Sequence, residues 1–423
     1  MRKEKIIFII SIFLLCFLYS VNGEERQIEA IWTDVRPIID GKLEGCWQKA
    51  AKAENFYDCS ELKLADVQTT AYLLYDDKAL YIAFYCDEPN INEINRILSY
   101  KTRDSRIWEN ECVEIFLSPY SNGSPYFHFI TNVAGTKYDA LGTESSWNYL
   151  WEVATSIGKD YWVAEFCIPF SSLNLSSDTN QVWRINFNRE RNISCENSAW
   201  SCTFSQFHNP EKFGVLRGLK FPAPTIHIVS LDERIVWGKN KFKAIIENES
   251  QDDWSGVAYL RIEDEERNFP ITLAKEQVNI PGKTIKEIQL EKYTRQKDGR
   301  NIVSLTLEDA NGEVIVSASR TLPIIPLFLQ KFFILYKGEE DLSFEVTAPE
   351  MISSANFYIQ QGKKRVMEKK VKFSTSGKEP TIVAIPTKGL ECGCYSCKID
   401  VFFLQEKTAE TLNFNFEIIP GIF

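Results

Sequence analysis

Residues 69–89 read TTAYLLYDDKALYIAFYCDEP, and they give the clearest indication of the fold. The stretch holds two short runs of aromatic and aliphatic residues, interrupted at Asp76 and Asp77 and ended by Pro89. Short runs rich in aromatic and β-branched residues, bounded by turn-forming residues, are typical of β-strands. The stretch therefore predicts two β-strands separated by a turn.

The same pattern extends through the first half of the chain. It recurs as VEIFLSP (113–119), YFHFITNVAG (126–135), YWVAEFCIPF (161–170) and VWRINFNRER (182–191). Residues 161–170 are apolar on both faces, which suits an inner strand of a packed sandwich. Helical periodicity is scarce, and the best helix candidate is the short segment EGCWQKAAKAENF (44–56). We therefore predict an all-β protein.

Prolines and a change of composition divide the chain. Pro222 and Pro224 end the aromatic-rich part, and a second boundary falls in LPIIPLF at residues 322–328. Beyond the first boundary, alternating strands with Asn and Gly turns recur about every ten residues, a spacing typical of immunoglobulin-like sandwiches. We expect an N-terminal sandwich at residues 24–220 and two smaller immunoglobulin-like sandwiches at 225–325 and 327–423.

The amino terminus has the pattern of a secretory leader. MRKEK is basic, an apolar run follows over residues 6–19, and a small residue, Gly23, precedes Glu24. This order is typical of a signal peptide, and the apolar run is shorter than the roughly 20 residues of a membrane span. We predict a signal peptide at residues 1–23, no membrane span after its cleavage, and export to the periplasm, cell surface or medium.

Charge and cysteine content limit the partners. The net charge of −10 disfavours nucleic acid and anionic lipid and favours a neutral ligand. Export would permit disulfides among the cysteines, but their pairing cannot be read from the sequence. Cys392, Cys394 and Cys397 could supply part of a zinc site. They have no nearby histidine and no second CxxC, so free or bridged cysteines are the favoured interpretation.

Six motifs of residues 24–220 occur together in one order. They are PIIDGKLEGCWQKA (37–50), AYLLYDDKALYIAFYCDEP (71–89), IWENECVEIFLSP (107–119), NVAGTKYDA (132–140), YWVAEFCIPF (161–170) and NPEKFGVLRGL (209–219). Together they resemble the family 9 carbohydrate-binding modules that are attached to xylanases. The resemblance implies a β-sandwich that holds a sugar between two aromatic side chains, commonly with structural calcium.

The resemblance also implies the site residues. Trp108 and Phe207 match the two clamping aromatics, although tryptophan is usual at the second position. Glu114 matches an acidic hydrogen-bonding position and Asn188 an amide position. This set suits a pyranose, because aromatic rings pack against its C–H faces while carboxylates and amides bind its hydroxyls. Ordinary sandwich packing is the alternative for both aromatics.

Two positions depart from the family pattern. Ile130 stands where an arginine is expected, and Phe204 lies near an expected asparagine. Both changes remove partners for sugar hydroxyls. The site could accordingly bind a different glycan, bind weakly, or be vestigial.

Metal binding and catalysis have weaker support. Asp76, Asp77, Asp87 and Glu88 end strands, as calcium ligands often do, but solvated turns have the same composition and that reading is favoured. No further cofactor is expected.

Glu111 and Glu114 could resemble the carboxyl pair of a glycosidase, but an offset of three on a strand points them to opposite faces. A haem-binding sandwich is a less favoured alternative. His128 is the candidate ligand, since Met351 and Met367 lie outside the first sandwich.

The sequence therefore predicts an exported, non-catalytic carbohydrate-binding protein. Its expected ligand is the end of a xylan- or glucan-type polysaccharide, and its role would be to support polysaccharide catabolism. A separate glycoside hydrolase or an envelope component is the expected protein partner. The alternatives are a structural envelope protein with a vestigial sugar site and an accessory part of a glycoside hydrolase system.

Overall fold

The computed structural model describes most of the chain. The described residues are 25–43, 45–94, 99–175, 182–204, 206–221, 224–231, 235–236, 238–264, 270–294, 300–338, 340–347, 352–373, 380–404 and 409–421. The predicted signal peptide, residues 1–23, and Pro222 at the predicted boundary lie outside these ranges, so both stay predictions.

The described residues of the first part form sixteen strands and five short 3-10 helices. The strands are β1 (Gln27–Glu29), β2 (Ile31–Trp32), β3 (Ala51–Ala53), β4 (Tyr57–Asp58), β5 (Lys63–Leu64), β6 (Thr69–Tyr75), β7 (Ala79–Asp87), β8 (Cys112–Ser118), β9 (Phe127–Asn132), β10 (Lys137–Leu141), β11 (Trp147–Asn148), β12 (Glu152–Ile157), β13 (Tyr161–Pro169), β14 (Trp183–Arg191), β15 (Glu196–Ala199) and β16 (Gly214–Arg217). The 3-10 helices are Gly45–Lys49, Ile91–Glu93, Ile107–Glu109, Phe170–Leu173 and Pro210–Lys212.

Two sheets enclose the core of this part. The larger follows the order β10-β9-β8-β14-β15-β4-β5, with β16 paired to β14 and β1 paired to β16. The smaller follows β12-β13-β7-β6-β2, with β3 paired to β6. Alternate residues of a strand face opposite sides of its sheet, so Val113, Ile115 and Leu117 of β8 point to the core together. The two strands predicted from residues 69–89 are β6 and β7, neighbours in the smaller sheet.

The predicted helix at residues 44–56 is wrong. Only Gly45–Lys49 is helical, in a 3-10 turn, and β3 follows it. Tertiary contacts override the local pattern. The Trp47 indole donates to buried Glu165 at 2.7 Å, and Ala51–Ala53 pairs with β6.

A buried ion network lies between the two sheets. Glu88 accepts hydrogen bonds from Arg189 at 2.9 Å and from Arg191 at 2.8 Å, and Glu111 lies 3.5 Å from Arg189. Glu88 and Glu111 are fully buried and Arg189 nearly so, so the charges must compensate one another. The arginines hold the pKa of Glu88 below its usual value despite burial.

Sixteen further strands follow in the part of the chain that the structure describes. They are β17 (Ile226–Leu231), β18 (Ile235–Val236), β19 (Gly238–Asn248), β20 (Trp254–Asp264), β21 (Pro270–Ile280), β22 (Thr284–Thr294), β23 (Arg300–Glu308), β24 (Val314–Ile325), β25 (Phe328–Gln330), β26 (Ile334–Tyr336), β27 (Leu342–Val346), β28 (Ile352–Gln361), β29 (Lys364–Lys372), β30 (Thr381–Ile385), β31 (Gly393–Phe403) and β32 (Glu410–Ile419).

These strands form two units with the same topology. The first has the sheets β17-β19-β22 and β24-β23-β20-β21, with β18 parallel to β24. The second has β25-β27-β30 and β32-β31-β28-β29, with β26 parallel to β32. The all-β fold class is confirmed. The immunoglobulin-like assignment and the boundaries at 24–220, 225–325 and 327–423 stay predictions.

The first sandwich and the unit after it share a strand pairing. β11 pairs with β24, and the Arg320 guanidinium lies 3.6 Å from the centroid of the Trp147 ring. The Asn174 side chain adds two hydrogen bonds to the backbone of Ile228, at 2.8 and 2.9 Å. These contacts join the two parts through backbone as well as side chains.

Ten cysteines of the described residues are free thiols, and Cys392, Cys394 and Cys397 belong to this group. None of the helices in the described ranges is long and apolar enough to cross a membrane.

Candidate functional site

The face of the larger sheet that points away from the core carries a polar patch between two aromatic clusters. Along β8, Cys112, Glu114 and Phe116 alternate with the core residues and share this face. Cys112 packs with Ile107 and Ile130 at one end, and Phe116 packs with Tyr126 and Phe213 at the other. At about 3.3 Å per residue, the two ends lie about 13 Å apart, with Glu114 between them.

The patch is the floor of a cavity of about 410 Å³. Its described lining combines aromatic and polar side chains: Cys59, Ser60, Trp108, Glu114, His128, Ile130, Tyr138, Thr143, Glu190, Asn197, Phe207 and His208. The volume lies in the usual range for small-ligand sites. A concave, partly aromatic site with a few converging polar groups is the expected form of a ligand pocket.

Trp108 forms part of the wall at the Cys112 end. It lies on the 3-10 helix Ile107–Glu109, is half-buried, and packs edge-on against Tyr138 with ring centroids 5.4 Å apart. The Asn192 amide, in the turn after β14, donates to the Trp108 carbonyl at 2.9 Å and to the Asn110 carbonyl at 2.7 Å. This helix is therefore fixed by the neighbouring hairpin before any ligand arrives.

Phe207 and His208 form part of the wall at the Phe116 end. Phe207 is half-buried and packs against the Phe116 cluster. The Tyr126 hydroxyl hydrogen-bonds to His208 Nδ1 at 2.8 Å, and the His208 ring meets Phe116 edge-on at 5.1 Å. The segment before the Pro210–Lys212 turn is thus held against the sheet face.

Three titratable side chains meet on the floor: Glu114 and His128, which are buried, and Glu190, which is partly exposed. His128 Nε2 lies 2.7 Å from Glu114 Oε2, and Glu114 is also hydrogen-bonded to Glu190. Burial raises the pKa of both carboxyls, and their mutual repulsion raises that of Glu190 further. Burial lowers the pKa of His128 to about 3. Both carboxyls are therefore held in the protonated form at neutral pH, beside a neutral imidazole.

Asn188 lies beside this group. It pairs directly with Glu114 across β8 and β14 and is fully buried. Neither its Oδ1 nor its Nδ2 has a hydrogen-bond partner among the described residues. A buried amide without a hydrogen-bond partner costs free energy.

The structure brings together three of the four predicted site residues. Trp108, Phe207 and Glu114 line the cavity. Asn188 lies on the same sheet face but does not appear among the described lining residues. Of the two departures, Ile130 lines the cavity as an apolar patch, whereas Phe204 is exposed and lies under Lys212, away from the lining.

Sequence reasoning missed Glu190, Tyr138 and Asn197 as cavity residues, and it considered His128 as a haem ligand but not as part of a sugar site. Alternation alone marks two of them: Glu190 follows Asn188 by two positions, and His128 precedes Ile130 by two. Their meeting at Glu114 also needs the pairing of β9, β8 and β14, which is a long-range property.

Metal-ligating side chains converge at this floor but not at the predicted calcium positions. Among the described residues, ligand atoms of Cys112, Glu114 and Glu190 lie within 4.8 Å of one another. Burial keeps the pKa of the Cys112 thiol well above its usual value, which disfavours a metal-binding thiolate.

The calcium candidates have other partners. Both Glu88 oxygens accept from arginine, and Asp76 accepts from two backbone amides at 2.8 Å and from Tyr81. Calcium at Asp76, Asp77, Asp87 and Glu88 stays a prediction.

Comparison with known proteins agrees with the predicted resemblance. Residues 39–219 match the family model described as carbohydrate family 9 binding domain-like, a segment that spans less than half of the chain. The predicted resemblance to family 9 modules is thereby confirmed for this segment. No curated protein matches the chain.

Three solved structures are similar to the same part. A family 9 carbohydrate binding module from Caldicellulosiruptor kristjanssonii in complex with cellotriose is 19% identical, covers 46% of this chain and 95% of its own, and has a TM-score of 0.35. A family 9 module of that organism in complex with glucose is 18% identical, with coverage of 47% and 96% and a TM-score of 0.34. A putative carbohydrate-binding protein from Bacteroides uniformis is 16% identical, with coverage of 47% and 100% and a TM-score of 0.36.

Proposed function

We propose that this protein binds carbohydrate without cleaving it and holds one end of a saccharide in the cavity between Trp108 and Phe207. The proposal rests on how the lining residues are arranged along the sheet face. Aromatic side chains stand at both ends of the sheet face and carboxyl, imidazole and hydroxyl groups lie between them. The family match of residues 39–219 supports the same function.

The chemistry of a pyranose explains why this order suits a sugar. Its axial C–H groups give apolar faces that pack against aromatic rings, and its hydroxyls form a polar edge. Glu114 and Glu190 offer both donors and acceptors, because a protonated carboxyl carries an O–H group and a carbonyl oxygen. A hydroxyl group needs both kinds of partner.

The carboxyl geometry argues against hydrolysis. Glycosidases place two carboxyls about 5 to 10 Å apart so that a glycosidic bond, and in some cases a water, fits between them. Glu114 and Glu190 are hydrogen-bonded to each other, which leaves no such space. Glu111 lies on the other side of the sheet beside Arg189 and cannot complete a pair with Glu114.

The predicted export completes the proposal. A carbohydrate-binding protein that meets polysaccharide must reach the periplasm, the surface or the medium, and the pattern of residues 1–23 supports this. The two C-terminal units would act as spacers or as docking sites for a hydrolase or an envelope component. Ligand binding is assigned to the first sandwich alone.

A glycan array with the full chain tests the proposal. We expect binding to saccharides with an accessible chain end, and loss of that binding in the double variant Trp108→Ala, Phe207→Ala. Circular dichroism should show that the variant keeps its β-sheet. An array on which the folded wild type binds no glycan would support the alternative, a structural envelope protein with a vestigial site.

A further inference from the structure

The floor of the cavity is more acidic than a neutral sugar requires. Glu114 and Glu190 both line it, and their oxygens lie within 4.8 Å of one another. Glu114 is nearly fully buried, whereas Glu190 is partly exposed to the cavity. A ligand can therefore reach Glu190 directly and affect Glu114 through it.

No described lining residue offsets this charge. Neither lysine nor arginine occurs among the described residues that surround the cavity, and burial keeps His128 neutral. The apolar side chain of Ile130 lies directly across β9 from Glu114. A cation that enters the cavity favours ionisation of the pair, because it offsets the charge that two adjacent carboxyls otherwise resist.

An unpartnered polar group in the lining points to a missing ligand. His128 lines the cavity, its Nε2 lies 2.7 Å from Glu114, and its buried Nδ1 has no partner among the described residues. A group that donates several hydrogen bonds would satisfy acceptors that the protein leaves open.

We propose that the cavity prefers a saccharide end bearing a primary ammonium group, such as a glucosamine unit, over neutral or acidic counterparts, because Glu114 and Glu190 converge on its floor. This inference rests on the proposed function and names the sugar class of the same site. The –NH3+ group supplies three donors and one positive charge, and the face of Trp108 also attracts cations. A uronic acid would bring a further carboxylate next to the pair and supply no cation, so it would be rejected.

Binding would exchange a proton for the ammonium group. Both carboxyls of the free pair are protonated at pH 7. When the ammonium group binds, Glu190 loses its proton to solvent and its carboxylate pairs with the ligand cation, so the charge of the site is unchanged. No bond to carbon forms or breaks.

Other titratable groups face the pair from each packed element. Cys112 and Glu111 adjoin it at β8, His128 on β9, Tyr138 on β10 and Cys59 after β4. Burial raises the pKa values of Cys112, Tyr138 and Cys59, so these groups stay neutral at pH 7, and Glu111 pairs with Arg189. The carboxyl pair is accordingly the group that exchanges a proton on binding.

Three trisaccharides that differ only at C2 test the proposal by calorimetry: β-1,4-linked glucosamine, N-acetylglucosamine and glucose. Charge-assisted hydrogen bonds are worth about 1.5–3 kcal/mol, so we expect the glucosamine trisaccharide to bind the full chain at least about tenfold more tightly than the other two. In buffers of different ionisation enthalpy at pH 7, its binding should release a proton, whereas that of the glucose trisaccharide should not.

Glu190→Gln should remove both the preference and the proton release. The matched control is Glu109→Gln, an exposed glutamate next to Trp108 that pairs with Arg106 and Tyr100 outside the lining, and it should keep both. Equal affinities of the wild type for the three sugars would overturn the inference and leave the proposed function standing. Binding of none of them, nor of any arrayed glycan, would overturn both.

Discussion

The variant Trp108→Ala tests whether the Trp108 ring binds sugar or only packs against its neighbours. Trp108 is half-buried and has one aromatic neighbour, Tyr138, with ring centroids 5.4 Å apart. Truncating a fully buried tryptophan costs about 3–5 kcal/mol, so this half-buried ring should contribute about 2 kcal/mol to the free energy of unfolding. Loss of one stacking surface should weaken sugar binding by about 1–3 kcal/mol, or about 5- to 150-fold.

The assay measures both quantities on the same protein. Thermal unfolding gives the change in stability, and calorimetric titration with the best ligand from the glycan array gives the change in affinity. Trp254→Ala is the matched control, because Trp254 is also half-buried but lies on β20 in the following sandwich. It should lower stability by a similar amount and leave affinity unchanged. If the two variants bound equally well, Trp108 would be ordinary packing and the proposed wall would be wrong.

Three further predictions follow from the same structure. Phe207→Trp should raise the affinity for sugar by about threefold to tenfold, because indole offers a larger surface to a sugar face. An unchanged dissociation constant in the folded variant would show that Phe207 does not contact the sugar. Burial raises the pKa of Glu190, so the folded wild type keeps a proton that the unfolded chain releases above its ordinary pKa of 4.5, and stability should fall as pH rises above that value. Glu190→Gln should flatten the decline between about pH 5 and pH 8 in melting experiments, and parallel curves would contradict the assignment. Glu88→Gln should lower the free energy of unfolding by about 3–5 kcal/mol in a denaturant titration, because Arg189 and Arg191 lose their buried counter-charge, and a change below about 1 kcal/mol would show that the network is not a unit.

Local pattern predicted the strands well, and the reason is physical. Residues 69–89 became β6 and β7 because their apolar side chains alternate and their turn residues fall between the runs. The segment at 44–56 failed because its alanines and Trp47 satisfy tertiary contacts rather than a helical face. Ala51–Ala53 pairs with β6, and the Trp47 indole donates a hydrogen bond to the buried Glu165. No local pattern contains those partners.

The candidate site was likewise only partly predictable from the sequence. Trp108, Glu114 and Phe207 could be named from motif positions, since each lies in a quoted stretch of the family resemblance or just before one. The acidic character of the floor could not be named, because it depends on the register that sets Glu190 beside Cys112 and Glu114 beside Asn188. Register joins residues that are about seventy positions apart in the sequence, and it is fixed only when the whole sheet forms.

A crystal structure of the full chain with a bound oligosaccharide tests the central claim most directly. We predict that one sugar ring lies in the cavity with its apolar faces towards Trp108 and Phe207, and with a donor group at Glu190. Sugar density on another face of the first sandwich, or on either C-terminal unit with this cavity empty, would contradict the account.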